Sequence, residues 1–152
     1  MRVDKYLKLG NSLKVILFIT VSGHGRGGHF YSCAETARCL SKDFDVEIVS
    51  IGSNRSPVLD ESGIKYSHIS YVGVFKTIKV LIDYVESSQA EIINSFDVNS
   101  CLFAKIVCYK KRLLHVHTKC GGPSPKKFYP HAISLILYSL EDKEFFESKK
   151  SF

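Results

Sequence analysis

The chain has 152 residues, 45% of them hydrophobic and 24% charged, with a formal net charge of +6. That is one domain's length with apolar surface enough for a core, which excludes a disordered or fibrous class, and no apolar run approaches the roughly 18 residues that span a bilayer. The positive excess gathers at Lys110, Lys111 and Arg112, at Lys126 and Lys127, and at Lys149 and Lys150; it leaves phosphorylated ligands and an anionic membrane face open, while no aromatic-basic platform for nucleic acid accompanies it.

Residues 1–13 read as a polar lead-in. Lys5, Lys8 and Lys14 around the start of the apolar run Val15 to Val21 imitate a signal peptide, but Asp4 and the polar Gly10, Asn11 and Ser12 interrupt the leader, and cleavage would remove the first strand of a coherent pattern. Four of the five cysteines, Cys33, Cys39, Cys101 and Cys108, sit inside apolar patterns. They are expected to be buried thiols of a protein kept in a reducing cytoplasm. Cys120, beside two glycines, is the one expected at the surface.

From Val15 the chain alternates between two hydrophobic periods. An apolar β-branched run to Val21 predicts a buried strand, the glycine-rich stretch from Ser22 to Gly28 a tight loop, and Phe30, Cys33, Ala34, Ala37 and Leu40 the inner stripe of a helix over about 29–42. A second strand follows over about 46–51, then a polar loop from Gly52 to Gly63 and an edge strand from Ile64 to Ile69. A helix near 74–87 presents Ile78, Leu81, Ile82 and Val85 inward. A short strand from Glu91 leads to a helix over about 99–110 with Leu102, Ile106 and Tyr109 at helical spacing. A strand from Leu113 to Thr118, a glycine- and proline-rich loop from Lys119 to Pro130, a strand from Ile133 to Tyr138 and a helix from Leu140 complete the chain. Strands and helices in this alternation predict an α/β fold: a doubly wound, mostly parallel Rossmann-like sheet in three α/β/α layers, as a single domain over 14–152.

In such a sheet the loops at the carboxyl ends of the strands converge on one crevice, and the first of them meets the positive end of a helix. Their polar contents here include His24, Arg26, Asp97, Asn99, His117, Thr118 and Lys119. Gly23, Gly25 and Gly28 fit the G-x-G-x-x-G spacing of dinucleotide-binding enzymes, but the second strand ends in Ser50, Ile51 and Gly52 without the carboxylate that holds a ribose, leaving only Arg55 to meet a 2′-phosphate. His115 and His117, two apart on a strand, share a face; with Cys120 they lack the carboxylate or second cysteine that would complete a zinc set, so no metal is expected. Neither a G-x-S-x-G elbow nor a Walker sequence is present.

Four pieces in order resemble the first half of the two-domain GT-B glycosyltransferases of the family-4 type. They are Gly27, Gly28 and His29 opening the first helix, the segment Glu91 to Asp97 in place of a D-V-I-H-x-H strand, His115 to Thr118 in place of a T-x-H-T/G strand, and Ile136 to Ser139 in place of an I-x-x-S strand. The resemblance covers about 14–150 and implies transfer of a sugar from a nucleotide donor, with no cofactor and no metal. It implies that Gly27 and Gly28 lie beside the donor diphosphate and the acceptor, with Arg26, His29, Asp97, Thr118 and Lys119 in their surroundings and His117, the catalytic candidate, near the reacting sugar. The loop's amides and the His117 imidazole are expected to face one guest. Asn94, Ser95 and Phe96 depart from the family's His-x-His. No donor-binding half with its double-glutamate motif appears before Phe152. The expectation is therefore an acceptor-side half, inactive alone and either truncated or completed by a separate donor-domain chain, acting in surface-polysaccharide or glycoconjugate synthesis on a nucleotide-sugar and a sugar or lipid-linked acceptor, in the cytoplasm or at the inner face of the plasma membrane. The alternative is a non-catalytic Rossmann-like binding module.

Overall fold

The computed structural model describes residues 12–118 and, as backbone alone, the strand at 134–136. The elements in order are β1 (Lys14–Val21), α1 (Gly28–Leu40), β2 (Asp45–Gly52), α2 (Pro57–Asp60), β3 (Lys65–Ser70), α3 (Val74–Ser88), β4 (Ile92–Ser95), α4 (Val98–Lys111), β5 (Leu114–Thr118) and β6 (Ser134–Ile136). All six strands are parallel and lie in the order β3-β2-β1-β4-β5-β6. This is the expected doubly wound sheet. Its order reverses between β1 and β4, where folds of this kind open their ligand crevice.

β1 occupies the centre because its side chains are apolar on both sides, as a strand covered on both faces requires. Val15, Leu17 and Ile19 pack with Phe30, Cys33, Ala34 and Ala37 of α1 and Leu59 of α2. Ile16 and Phe18 face the other way, onto Leu81 and Val85 of α3 and Phe103, Ala104 and Val107 of α4. Among the described residues two helices thus cover each face. At the amino edge of the sheet Glu47 is wholly buried, ion-paired with Lys14 and Lys65 and hydrogen-bonded by Ser67 and Tyr84. Burial alone would raise its pKa; the bonds from Tyr84, Lys65 and Ser67 outweigh that and hold the carboxyl below its ordinary value.

Three expectations need correction. The stretch from Gly52 to Gly63 is not all loop: Ser56 caps the short α2, accepting a bond from the Leu59 amide, and Pro57 supplies the fixed φ of a first helical turn. α4 turns a different stripe inward, burying Ser100, Cys101, Phe103, Ala104, Val107 and Cys108 and exposing Leu102, Ile106 and Tyr109. The helix carries two apolar stripes, and the one with Phe103, Ala104, Val107 and Cys108 joins the core against the sheet. Cys39 is exposed, on the solvent side of α1, whereas Cys33, Cys101 and Cys108 are buried as expected. The lead-in through residue 11, Cys120, the loop from Lys119 to Pro130 and the final helix lie outside the described residues.

Candidate functional site

The β1–α1 junction is open. Gly23 and Gly25 hold φ of +72° and +62°, the left-handed region glycine reaches without strain. Gly27 takes the N-cap position of α1 with no side chain capping the helix and no acid in its first turn. Arg26, Gly27 and Gly28 are exposed and His29 half-buried, its ring 4.1 Å from that of Phe30. A Cβ on Gly28 would meet nothing within 4 Å, so space for a ligand lies over the first turn. The first amides of α1 and its dipole therefore face outward, an arrangement that suits a phosphate or carboxylate.

Gly25 answers a different need. Its carbonyl accepts a 2.6 Å bond from the buried Ser56 hydroxyl, and a Cβ at Gly25 would stand 2.9 Å from the Ser56 Cα. Behind Ser56, the Tyr66 hydroxyl accepts from the Ser56 amide at 3.0 Å and pairs with the Ser50 hydroxyl at 2.7 Å; Ser50 in turn bonds His68 Nδ1 at 2.8 Å. Burial, and then the charge of Arg55, lower the His68 pKa. This relay ties the glycine loop to α2 and to β2 and β3. The sequence signal for it was the Ser-Pro helix start at Ser56 and Pro57. Arg55, the residue left to meet a 2′-phosphate, is held by Asp60 in a two-point ion pair and lies 4.6 Å from the centre of the Tyr66 ring.

The β4–α4 junction is closed. Asp97 caps α4, one carboxylate oxygen accepting from the Asn99 and Ser100 amides at 3.0 Å, while the Ser100 hydroxyl lies 3.0 Å from the Asp97 amide and completes a capping box. The same carboxylate takes the Thr20 amide at 2.7 Å and the Thr20 hydroxyl at 2.6 Å. Asp97 thus continues the contact between β1 and β4 beyond their last ladder pair, and its acceptor capacity goes to the chain's own donors.

On β5, His115 and His117 share a face as their spacing predicts. The Ser95 hydroxyl lies 2.9 Å from His115 Nε2 and 2.8 Å from His117 Nδ1, and both rings are buried. Burial pushes His115 down to about 4. Ser95 lies two residues after Ile93, on the α4 side of the sheet. The His117 ring therefore lies on the face of the sheet that α3 and α4 cover, whereas α1 packs on the opposite face. Thr118 points the other way and its hydroxyl donates to the Asn94 side chain at 3.0 Å; Lys119 lies outside the described residues. No group of three His, Cys, Asp or Glu side chains fit to hold a metal occurs among the described residues. Cys101 and Cys108 are pushed up by burial to about 11 and about 12, too high for a thiolate nucleophile near neutrality.

Sequence reading missed a groove of about 480 Å³ between α3 and α4 at the carboxyl edge of the sheet, lined among others by Val21, Ile51, Tyr71, Val74, Ile78 and Leu102. It needed the outward turn of Leu102 and Ile106, which the sequence shows only as apolar residues at helical spacing.

No family model matches the chain and no curated protein is similar to it. Solved structures are. The apo lipopolysaccharide outer core galactosyltransferase WaaB superposes with a TM-score of 0.68 at 18% identity, over 90% of this chain and 42% of its own. A putative UDP-N-acetylglucosamine 2-epimerase from Listeria monocytogenes gives 0.67 at 12%, over 93% and 42%, and HepE from Anabaena, solved with UDP and glucose, 0.57 at 10%, over 70% and 30%. The chain spans about two-fifths of the length of the first of these, and what it shares with them is the fold of the GT-B glycosyltransferases.

Proposed function

We propose that the chain is the acceptor-side half of a nucleotide-sugar-dependent glycosyltransferase of the family-4 type, acting with a donor-binding half in surface-polysaccharide or glycoconjugate synthesis on the cytoplasmic side. The carrying observation is the uncapped α1 N-terminus behind the exposed Gly27 and Gly28, in a chain with the GT-B fold. Amides fixed in that position stabilise negative charge as it develops on a leaving diphosphate, and they need no rearrangement to do so. The motif resemblance favours transfer over the epimerisation named for another neighbour. HepE, solved with UDP and glucose, supports a nucleotide-sugar as the guest.

The chain's own residues divide the work unevenly. Gly27, Gly28 and His29 border the anion, with Arg26 beside them. Asp97 and Thr118 position strand ends through Thr20 and Asn94. His117, the catalytic candidate, is buried and held through Nδ1 by the Ser95 hydroxyl. Alone, the chain binds without transferring, because transfer relies on a water-excluding cleft closed by a second wall.

The test is a titration of the 15N-labelled chain with a UDP-sugar. Amide shifts centred on Gly27, Gly28 and His29 are expected. Shifts elsewhere, or none at saturating ligand, reject the reading.

A further inference from the structure

Ser95 is the meeting point of three side chains. The parallel register sets it opposite His117, with His115 two residues back on the same face of β5. Its hydroxyl lies 2.9 Å from His115 Nε2 and 2.8 Å from His117 Nδ1, and the thiol of Cys101 on α4 hydrogen-bonds with it as well. All four residues are buried. A hydroxyl has one proton to donate and two lone pairs to accept with. The thiol, pushed up to about 11 by burial, keeps its own proton, and sulfur is the weakest acceptor of the three. The serine proton therefore goes to a ring nitrogen, and the thiol donates to the serine oxygen.

Two arrangements remain. Ser95 donates to His117 Nδ1 and accepts from His115 Nε2, which puts the proton of both rings on Nε2; or it donates to His115 Nε2 and accepts from His117 Nδ1, which puts both on Nδ1. Either way the two neutral rings carry the same tautomer, because one hydroxyl serves both. His115 decides between them. Burial keeps it neutral near pH 7, so only one of its nitrogens is protonated, and its Nδ1 is buried with no hydrogen-bond partner among the described residues. A proton on that atom would be an orphaned buried N–H, the rarest of such defects. We propose that Ser95 is a positioning residue that locks His115 and His117 together in the Nε2–H tautomer. Resting on His117 as the catalytic candidate, the consequence for transfer is direct: its Nδ1 lone pair is committed to Ser95, and its Nε2 gives a hydrogen bond and takes no proton, which bars it from acting as a general base.

The experiment is long-range proton–nitrogen correlation NMR of the histidine rings in the 15N-labelled 152-residue chain at neutral pH, where each ring nitrogen shows whether it carries a proton. No ligand is added, so the outcome is independent of whether a UDP-sugar binds. A protonated Nε2 and a bare Nδ1 are expected on both His115 and His117. Ser95→Ala should abolish the preference at His117, the shifts of its two nitrogens moving toward each other, with circular dichroism reporting that the fold is kept. A proton on Nδ1 of either ring in the parent, or a parent-like His117 spectrum in folded Ser95→Ala, would overturn the inference. If Ser95→Ala does not fold, the parent spectrum alone decides it.

Discussion

The β1–α1 and β4–α4 junctions lie side by side at the switch point of the sheet and are built from the same parts: a strand end, a short turn and a helix N-terminus. At β4–α4 a single carboxylate satisfies two helix amides and reaches across to Thr20 of β1. At β1–α1 the corresponding position is Gly27, which has no side chain to offer, and the amides are left to whatever arrives. A helix start that is sealed contributes to stability; one left open gives up that contribution and leaves room for a ligand. Substitutions on the β4–β5 side should therefore register in folding, and those at the front of α1 in binding.

The largest effect expected on the sealed side is with acid. His115 titrates near 6.5 when unfolded and near 4 when folded, so between those values the unfolded chain binds more protons and stability falls as pH falls. The loss is up to about 3 kcal/mol, complete below pH 4. Denaturant melts of the parent and of His115→Gln should diverge over that window, the variant showing the shallower fall although the lowered His68 contributes in the same direction. Parallel curves would mean that His115 is not held neutral by its burial.

Asp97→Ala comes next, at about 2 to 3 kcal/mol, from a lost cap and a Thr20 amide and hydroxyl left unpaired. Asp97→Asn, which keeps an acceptor, should recover part of it. A loss under about 0.5 kcal/mol, the range of an ordinary surface change, would return Asp97 to the ligand-facing role its place in the sequence suggested. Gly25→Ala should cost about 2 kcal/mol, since a Cβ must take a positive φ and stand against the Ser56 backbone. Ser56→Ala loosens the same loop with less strain.

The sequence carried the architecture well because each strand and helix announces its own period, and a parallel sheet covered on both faces reads as continuous apolar runs. It carried the site less well, for reasons visible in single residues. Asp97, with Ser100 three residues on, already held a capping pattern; taken as a loop carboxylate, it looked like a ligand contact. α4 has two apolar stripes, and it is the one carrying Phe103, Ala104, Val107 and Cys108 that packs into the core. That His115 and His117 share a face follows from their spacing. Which face it is depends on the β4–β5 register that sets His117 beside Ser95, and a one-residue slip would have reversed it.

The smallest effect on stability is expected from Gly28→Val, and it separates the two junctions most cleanly. Gly28 has no positive φ, and a Cβ there meets nothing within 4 Å beyond its own helix's backbone and chain neighbours. The first helical turn tolerates the substitution, so the melting midpoint should stay within about 0.5 kcal/mol of the parent. The isopropyl group would nonetheless stand in the open space over the α1 amides, where a diphosphate needs close backbone approach. UDP-sugar binding should therefore fall by at least about tenfold in a protein that is otherwise unchanged. If binding survives with full affinity, the glycines at 27 and 28 only turn the chain and the open helix start is empty of function. If stability falls instead, the front of α1 is sealed after all, and the contrast with Asp97 disappears.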